Sequence, residues 1–215
     1  IHAAAIHFLS AFVNIWPQET KVIPLPEETS RYPSVDVFIP TYNEPLEIVK
    51  ITATAARQID YPQDRLTVHI LDDGATVAKR NDPNTAQAAW ERHYALRRMA
   101  AELGVNYITR ERNVRAKAGN LNHAFHHTSF DLVLVLDADH VPAKDILKNT
   151  VGWFVKDPKL ASIQTPHFLM NPSPIEKNME ASQDIPGEGE LFYRASHLGL
   201  DFWNASFFCG SAGIL

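Results

Sequence analysis

Short apolar runs rich in Val, Ile and Leu alternate along the chain with longer stretches in which apolar residues recur every three or four positions. The short runs predict buried strands, and the longer stretches predict amphipathic helices. The predicted strands are 35–39, 66–71, 105–109, 132–136 and 160–164. The predicted helices are 46–59, 84–103, 116–127 and 143–155. Because the two kinds of element alternate, we expect an α/β fold whose open, mostly parallel sheet is wrapped by helices.

The first 34 residues and the end of the chain fall outside this alternation. Residues 1–16 are apolar apart from two histidines, Ser10 and Asn14, and they are short of the roughly 20 residues that cross a bilayer. They suit either the end of a transmembrane helix, with Trp16 at the interface, or an interfacial amphipathic helix. Residues 17–34 contain four prolines and predict an extended linker. We therefore expect one domain over 35–215, incomplete at its carboxyl terminus.

Composition narrows the class of protein. A chain of 215 residues with 45% hydrophobic content can bury the core of one α/β domain. The net charge of −5 gives no support for nucleic-acid binding. The single cysteine, Cys209, excludes an internal disulfide and a multi-cysteine zinc site. No glycine-rich dinucleotide or triphosphate loop follows a predicted strand, which argues against a dehydrogenase and against a nucleoside triphosphatase.

The most informative segment is 131–140, where an uninterrupted apolar run ends in Asp137 and Asp139. Such a run predicts a strand buried on both faces, and ligands of parallel sheets lie beyond the carboxyl ends of their strands. Two carboxylates one residue apart at that place can bind a hard divalent cation, Mg²⁺ or Mn²⁺, that neutralises a diphosphate. The alternative is an ordinary Asp-rich turn.

Three further loops follow predicted strands and reach the same edge of the sheet. Residues 40–45 carry an aromatic ring and a carboxylate suited to a nucleobase, and residues 72–74 bring two aspartates and a glycine to the rim. Residues 110–120 place Arg115 and Lys117 near the amino end of a helix, where an anion such as diphosphate binds well. Each loop is also compatible with a simple turn or a solvated surface.

The later motifs are more ambiguous. The segments 164–168 and 207–211 combine aromatic and small polar residues, and they suit a sugar site or core packing equally well. Three histidines, His123, His126 and His127, lie on one predicted helix. No further clustered ligand accompanies them, so a polar or half-buried helix face is favoured over a metal site.

In their order, these segments resemble the processive family-two glycosyltransferases, which include the bacterial cellulose synthases. The resemblance covers about residues 32–215. It rests on Pro-Thr-Tyr-Asn-Glu-Pro, Leu-Asp-Asp-Gly, Ala-Lys-Ala-Gly-Asn, Asp-Ala-Asp-His-Val-Pro, Gln-Thr-Pro-His-Phe and Phe-Phe-Cys-Gly-Ser. It implies a Rossmann-like GT-A domain on the cytoplasmic side of the bacterial inner membrane. That domain would use UDP-glucose with Mg²⁺, or with Mn²⁺ in its place, to extend a β-1,4-glucan by inverting transfer.

The resemblance also implies roles for individual residues. Those assigned to UDP are Thr41, Tyr42, Glu44, Asp72, Asp73, Lys117 and Asp137. Those assigned to the cation are Asp137 and Asp139, which together with Asp73 form the catalytic set. Those assigned to the growing glucan chain are Gln164, His167, Phe207, Phe208, Cys209, Gly210 and Ser211. The general base and the acceptor platform of the family are expected beyond Leu215.

The resemblance bears on partners and on alternatives too. It makes the transmembrane interpretation of residues 1–16 the favoured one, and it implies a periplasmic synthase subunit and a cyclic-di-GMP-binding domain outside these residues. Arg115 stands where the family commonly has His, which alters the contacts near the phosphates without removing the anion site. Another β-glucan synthase, such as a curdlan synthase, and a UDP-sugar-binding fragment without turnover remain alternatives.

Overall fold

A computed structural model describes residues 2–14, 21–168, 174, 178, 189 and 192–215. Contacts between residues divide the chain into two compact units. The larger unit consists of Val22–Ile163 and Gly210–Leu215, and the smaller consists of Ile1–Lys21 and Gln164–Cys209. Each unit is described separately below.

One sheet organises the larger unit. Its strands are β1 (Val35–Thr41), β2 (Leu66–Asp72), β3 (Asn106–Thr109), β4 (Leu132–Val135), β5 (Ile163–Gln164) and β6 (Gly213–Ile214). They lie in the order β3-β2-β1-β4-β6-β5. The first four strands are parallel, and β6 runs antiparallel to β4. The predicted, mostly parallel α/β sheet is confirmed.

Helices connect the strands as the apolar spacing predicts, with ends shifted by no more than three residues. The helices are α1 (His2–Val13), α2 (Leu46–Arg57), α3 (Val77–Asn81), α4 (Ala86–Leu103), α5 (Ala116–Phe125), α6 (Ile146–Lys156) and α7 (Leu198–Phe202). Short 3₁₀ turns occupy Thr29–Arg31 and Gln63–Arg65, and a π-helical turn occupies Phe192–His197. The short helix α3, between β2 and α4, was not predicted, because its five residues include two cations and no apolar repeat.

The core fixes the direction of the strands and hence the place of their ends. Alternate residues of β1, Val35, Val37 and Ile39, are fully buried in one apolar cluster. The cluster also contains Leu134 of β4 and residues of β2, α2, α4 and α6. A side chain such as Leu134, which is buried among these neighbours, costs about 2–5 kcal/mol when cut to Ala. This packing holds the carboxyl ends of β1, β2 and β4 at one edge.

The first strand continues through Pro40 and does not end at Ile39, the end of the predicted strand 35–39. β1 continues to Thr41, which pairs with Asp72 of β2. The Phe38 carbonyl accepts from the amide of Leu136, just after β4, and the Thr41 carbonyl accepts from the amide of Asp73, just after β2. Because the backbone groups of alternate residues point to the same side of a strand, Pro40 faces β4 as Phe38 does. The β1–β4 pairing ends at Phe38 and Val135. The amide hydrogen that proline lacks is therefore not needed there.

Residues 22–34 contain no helix or strand apart from the turn at Thr29–Arg31, and they belong to the larger unit. The Tyr61 hydroxyl donates to the Pro33 carbonyl at 2.6 Å. Gly152 of α6 lies so close to the chain that an added Cβ would be 2.0 Å from the Ile23 carbonyl oxygen. Residues 17–20, the rest of the predicted linker, lie outside the described residues.

In the smaller unit, α1 packs against the segment around α7. The rings of Phe12 and Trp203 stack with centroids 5.3 Å apart, and an added Cβ on Gly199 would lie 2.7 Å from the Val13 carbonyl oxygen. Several apolar side chains of α1 are exposed, including Ile6, Phe8 and Leu9. Among the described residues, no helix is both long and apolar enough to cross a membrane.

Candidate active site

A cleft of about 390 Å³ opens at the carboxyl ends of β1, β2 and β4 in the larger unit. We name it the carboxyl-end cleft. Its lining comprises Pro40, Thr41, Tyr42, Glu44, Asp73, Asn113, Ala116, Lys117, Asn120, Asp137, Ala138 and Asp139. Six of the seven residues assigned to UDP from the sequence thus meet in one cleft, together with Asp139, which was assigned to the cation. A larger surface depression of about 580 Å³ lies elsewhere, near Tyr32, Asp131 and Leu160.

The turn after β1 is held by the carboxylate of Glu44. Its Oε2 accepts the Thr41 hydroxyl at 2.7 Å and the Tyr42 amide at 2.6 Å. Burial alone would raise the pKa of Glu44, but these hydrogen bonds outweigh burial and lower the pKa below its usual value. Tyr42 is exposed on one side, and the Lys79 ammonium lies 3.8 Å from its ring centroid. The turn therefore presents an aromatic ring and an ionised carboxylate.

The two aspartates after β2 have different environments. Asp72 is fully buried, and its carboxylate accepts from Arg92 Nε at 2.9 Å and from the Tyr107 hydroxyl at 2.9 Å. The expectation that both carboxylates lie at the rim is wrong for Asp72, because these partners hold it behind the cleft. Asp73 lines the cleft, and both of its oxygens accept from Arg110, at 2.6 and 2.7 Å. The repulsion between adjacent carboxylates is thus offset by two arginines of the chain itself.

Arg110 also shapes the loop that leads into α5. Its guanidinium donates to the Val114 and Ala116 carbonyls at 2.8 and 3.0 Å. Residues 115 and 116 adopt positive φ angles of 61° and 42°, so the chain turns sharply before the helix. Gly119 lets the helix lie close to the Val114 carbonyl, because an added Cβ would be 1.9 Å from that oxygen. The amino end of α5 and Lys117 are thereby fixed at the cleft.

Lys117 and Asp137 form an ion pair across the cleft. The Lys117 ammonium donates to Asp137 Oδ1 and, at 2.7 Å, to the carbonyl of Gly210. The amide of Asp137 donates to Ser211 Oγ at 2.7 Å, and His140 Nδ1 lies 2.7 Å from the same oxygen. Gly210 and Ser211, predicted to border an acceptor, therefore support the Asp137 loop from within the larger unit.

The carboxylates Asp137 and Asp139 fit a hard divalent cation as a pair of oxygen donors. Asp139 is largely exposed, and Asp137 is half-exposed. Within the described part of the chain, no three or more His, Cys, Asp or Glu side chains gather as a metal site. Mg²⁺ commonly takes one or two carboxylates and completes its shell with water and phosphate oxygens, so a two-carboxylate set suits it when a diphosphate is bound.

The histidines of α5 form a helix face. His127 Nδ1 lies 2.7 Å from the His123 carbonyl oxygen, and the two rings are 4.2 Å apart. Burial, and then the neighbouring His127, lower the pKa of His123. One nitrogen of the His127 ring is thus engaged with the backbone of its own helix.

The remaining residues assigned to the acceptor belong to the smaller unit, where Gln164 and Cys209 contact each other. The Cys209 amide donates to Gln164 Oε1 at 2.8 Å, and the Tyr193 hydroxyl lies 2.9 Å from His167 Nδ1. Phe207 is exposed, and Phe208 is half-buried. Their role toward a glucan stays a prediction.

Comparison with known proteins decides the family. A model described as "Glycosyl transferase family 2" matches residues 36–215. The chain belongs to glycosyl transferase family 2. A family 2 relative named Cellulose synthase catalytic subunit (UDP-forming), from Pseudomonas fluorescens, is 47% identical over 200 residues, which is 93% of this chain and 25% of the relative. The protein of the same name from Xanthomonas axonopodis pv. citri is 43% identical over 215 residues, the whole of this chain and 27% of the relative.

The chain spans about a quarter of the length of these two relatives. Among solved structures, a mannosyltransferase from Pyrobaculum calidifontis in complex with GDP-Man and Mn²⁺ superimposes with a TM-score of 0.52 and 26% identity. The match covers 76% of this family 2 chain and 45% of that protein. The GT-A glycosyltransferase fold expected from the sequence is confirmed.

Two residues that organise the carboxyl-end cleft were not identified from the sequence. Arg92 lies in the helix predicted over 84–103 and Arg110 in the loop 110–120, and no sequence pattern assigned either of them to the site. The available signal was charge balance, because two adjacent aspartates at the end of a buried strand require cations close by. Their identity depends on how α4 and β3 pack, which the spacing of residues along the chain does not encode.

Proposed function

We propose that the carboxyl-end cleft is the donor site of a processive, inverting glycosyltransferase that uses UDP-glucose to extend a β-1,4-glucan. The observation that carries the proposal is the meeting of Tyr42, Asp73, Lys117 and Asp137 in one cleft at the strand ends. Support for the substrate comes from relatives that are named UDP-forming cellulose synthases.

The nucleoside half of the cleft is the turn after β1 together with Asp73. The Tyr42 ring offers a flat face to uracil, and Glu44 and Asp73 offer acceptor oxygens to the base and the ribose. Thr41 serves indirectly, because its hydroxyl is already donated to Glu44. We no longer assign Asp72 a direct contact with UDP, since it is buried behind Arg92.

The diphosphate half lies between the amino end of α5 and the Asp137 loop. Lys117 supplies a positive charge, and the first amides of α5 add the positive end of a helix dipole. Asp137 and Asp139 would hold the cation, which neutralises charge on the departing UDP. We propose Mg²⁺, with Mn²⁺ able to replace it, since the structural relative that carries a nucleotide sugar was solved with Mn²⁺.

The acceptor half is proposed from the resemblance alone. Gln164, His167 and the segment 207–211 would border the glucan, and the base that deprotonates the acceptor's 4-hydroxyl is expected beyond Leu215. We also infer a location on the cytoplasmic side of the bacterial inner membrane, with residues 1–16 as the end of a transmembrane helix. A periplasmic partner subunit and cyclic di-GMP stay predictions of the same kind.

Product analysis tests the proposal. Membranes from cells that produce the longer protein are incubated with radiolabelled UDP-glucose and Mg²⁺, and the polymer is analysed for its glycosidic linkages. β-1,4 linkages are the expected result. A β-1,3 polymer would establish the curdlan-type alternative, and UDP binding without any polymer would establish a binding fragment.

A further inference from the structure

We propose that Arg92 is the positioning residue for the nucleoside half of the cleft, and that Asp72 acts through it as its anchor. The inference rests on the proposed function, because it assigns a role toward uridine. Arg92 lies on α4, is not part of the cleft lining, and reaches the turn after β1 from behind.

The guanidinium of Arg92 connects two strand ends. Its Nε donates to Asp72 Oδ1 at 2.9 Å, one terminal nitrogen donates to the Glu44 carbonyl at 2.9 Å, and the other donates to Thr41 Oγ1 at 2.8 Å. The side chain is only 16% exposed, so these charge-assisted bonds are shielded from water. Three acceptors in three directions match the planar fork of arginine and cannot be met together by the point charge of lysine.

The contact between Arg92 and Thr41 determines how Thr41 and Glu44 are hydrogen-bonded in the turn after β1. Because the Thr41 oxygen accepts from Arg92, its own hydrogen is directed to Glu44 Oε2. The same Glu44 oxygen accepts the Tyr42 amide, which sets the backbone that carries the ring. The orientation of Glu44 and Tyr42 toward a nucleoside therefore depends on Arg92.

Asp72 is the fixed end of this chain of bonds. Its Oδ2 accepts the Tyr107 hydroxyl of β3, and its Oδ1 accepts the Gly74 amide at 2.8 Å as well as Arg92. Burial first, and then the charge of Asp72 and its hydrogen bond with the Tyr107 hydroxyl, raise the pKa of Tyr107 above its usual range. The carboxylate cannot turn toward a ligand, but it holds the arginine in place.

Gly74 supports the same interpretation independently. An added Cβ would lie 2.1 Å from the Tyr42 carbonyl oxygen and 2.4 Å from Arg92 Nε. The glycine therefore leaves the space through which the arginine passes to the turn. Its φ angle is not in the left-handed region, so this close approach, and not backbone conformation, is the reason for a glycine here.

The test compares three ligands, UDP, uridine and pyrophosphate with Mn²⁺, by calorimetry on the wild-type chain and on Arg92→Gln and Arg92→Lys. We expect both substitutions to weaken UDP and uridine by the same factor, about tenfold or more, since each breaks charged hydrogen bonds. Pyrophosphate affinity should not change, whereas general damage to the fold would weaken all three ligands. Arg98→Ala, on an exposed part of the same helix, is the matched control.

A milder variant keeps the test decisive if Arg92→Gln does not fold. Thr41→Val removes the hydroxyl that receives Arg92, and Thr41→Ser retains it; only the valine variant should lose uridine affinity. Wild-type affinities for UDP and uridine in the arginine variants, or a loss confined to UDP and pyrophosphate, would overturn the inference. A wild-type chain that binds neither UDP nor uridine would instead contradict the proposed function itself.

Discussion

The acidic side chains that line the carboxyl-end cleft have partners from the chain, and that of the exposed Asp139 is His140, whose Nε2 lies 3.9 Å from Asp139 Oδ1. Asp73 is held by Arg110, Asp137 by Lys117, and Glu44 by Thr41 and Tyr42. An unpaired buried carboxylate is costly, so these partners stabilise the carboxylates of the cleft within the fold. The cleft thus has one region of hydrogen-bond acceptors near Tyr42 and another region that contains the positively charged side chain of Lys117.

Replacing Lys117 by Ala should therefore weaken UDP binding more than uridine binding. A charge-assisted hydrogen bond to phosphate contributes roughly 1.5–3 kcal/mol, and uridine has no phosphate to lose it. Calorimetric titration of both ligands measures the difference. Lys144→Ala, an exposed lysine outside the cleft lining, should leave both affinities unchanged. Equal losses for UDP and uridine in Lys117→Ala would mean that the lysine does not serve the phosphates.

The strands and helices bring these side chains together through their ends. β1, β2 and β4 are parallel, so the loops that follow them share one edge, and α5 begins beside them. The start of α5 depends on the close approach of Gly119 to the Val114 carbonyl and to Arg110.

Gly119→Ala should destabilise the protein, although the same change in an ordinary helix stabilises it by about 1 kcal/mol. The added methyl would lie 2.7 Å from the Arg110 guanidinium as well as against the backbone, and overpacking of this kind costs about 1–3 kcal/mol. Urea denaturation measures the change. Ala118→Gly, the neighbouring exposed position, should cost only the usual helix propensity. A more stable Gly119→Ala variant would show that the helix start can relax.

The strands, the helices and the Asp137 loop were predictable because the sequence patterns that indicate them are local. Asp137 directly follows an uninterrupted apolar run, and a buried strand can only deliver it to the sheet edge. β1 extends through Pro40, past the predicted end at Ile39, because a proline is tolerated where a neighbouring strand has already ended. Arg92 was missed since its contact with Asp72 spans 20 residues of sequence and depends on the packing of α4.

The chain as a whole forms two compact units, and only the larger one contains the cleft. The residues assigned to the acceptor are mostly in the smaller unit, where Gln164 and Cys209 contact each other. Their proposed role toward a glucan rests on the resemblance in sequence. Donor binding and acceptor chemistry are therefore separate questions for this chain.

We predict that the 215-residue chain binds UDP but does not elongate a glucan. The carboxylates Asp73 and Asp137 are engaged with cations, which leaves them unsuited to accept a proton from the acceptor hydroxyl. Loss of a general base typically costs about 10²–10⁴-fold in rate. Incubation with radiolabelled UDP-glucose, Mg²⁺ and cello-oligosaccharides should give no longer product. Clear elongation would place a base within these residues.

The dependence of UDP binding on a divalent cation tests the donor site most directly. UDP is titrated calorimetrically into the wild-type chain and into Asp139→Ala, each with Mg²⁺ and with EDTA. The wild-type chain should bind UDP more tightly with Mg²⁺, because Asp137, Asp139 and the diphosphate together supply its oxygen ligands. Asp139→Ala should bind equally under both conditions. An identical UDP affinity of the wild-type chain with Mg²⁺ and with EDTA would contradict the assignment of this cleft.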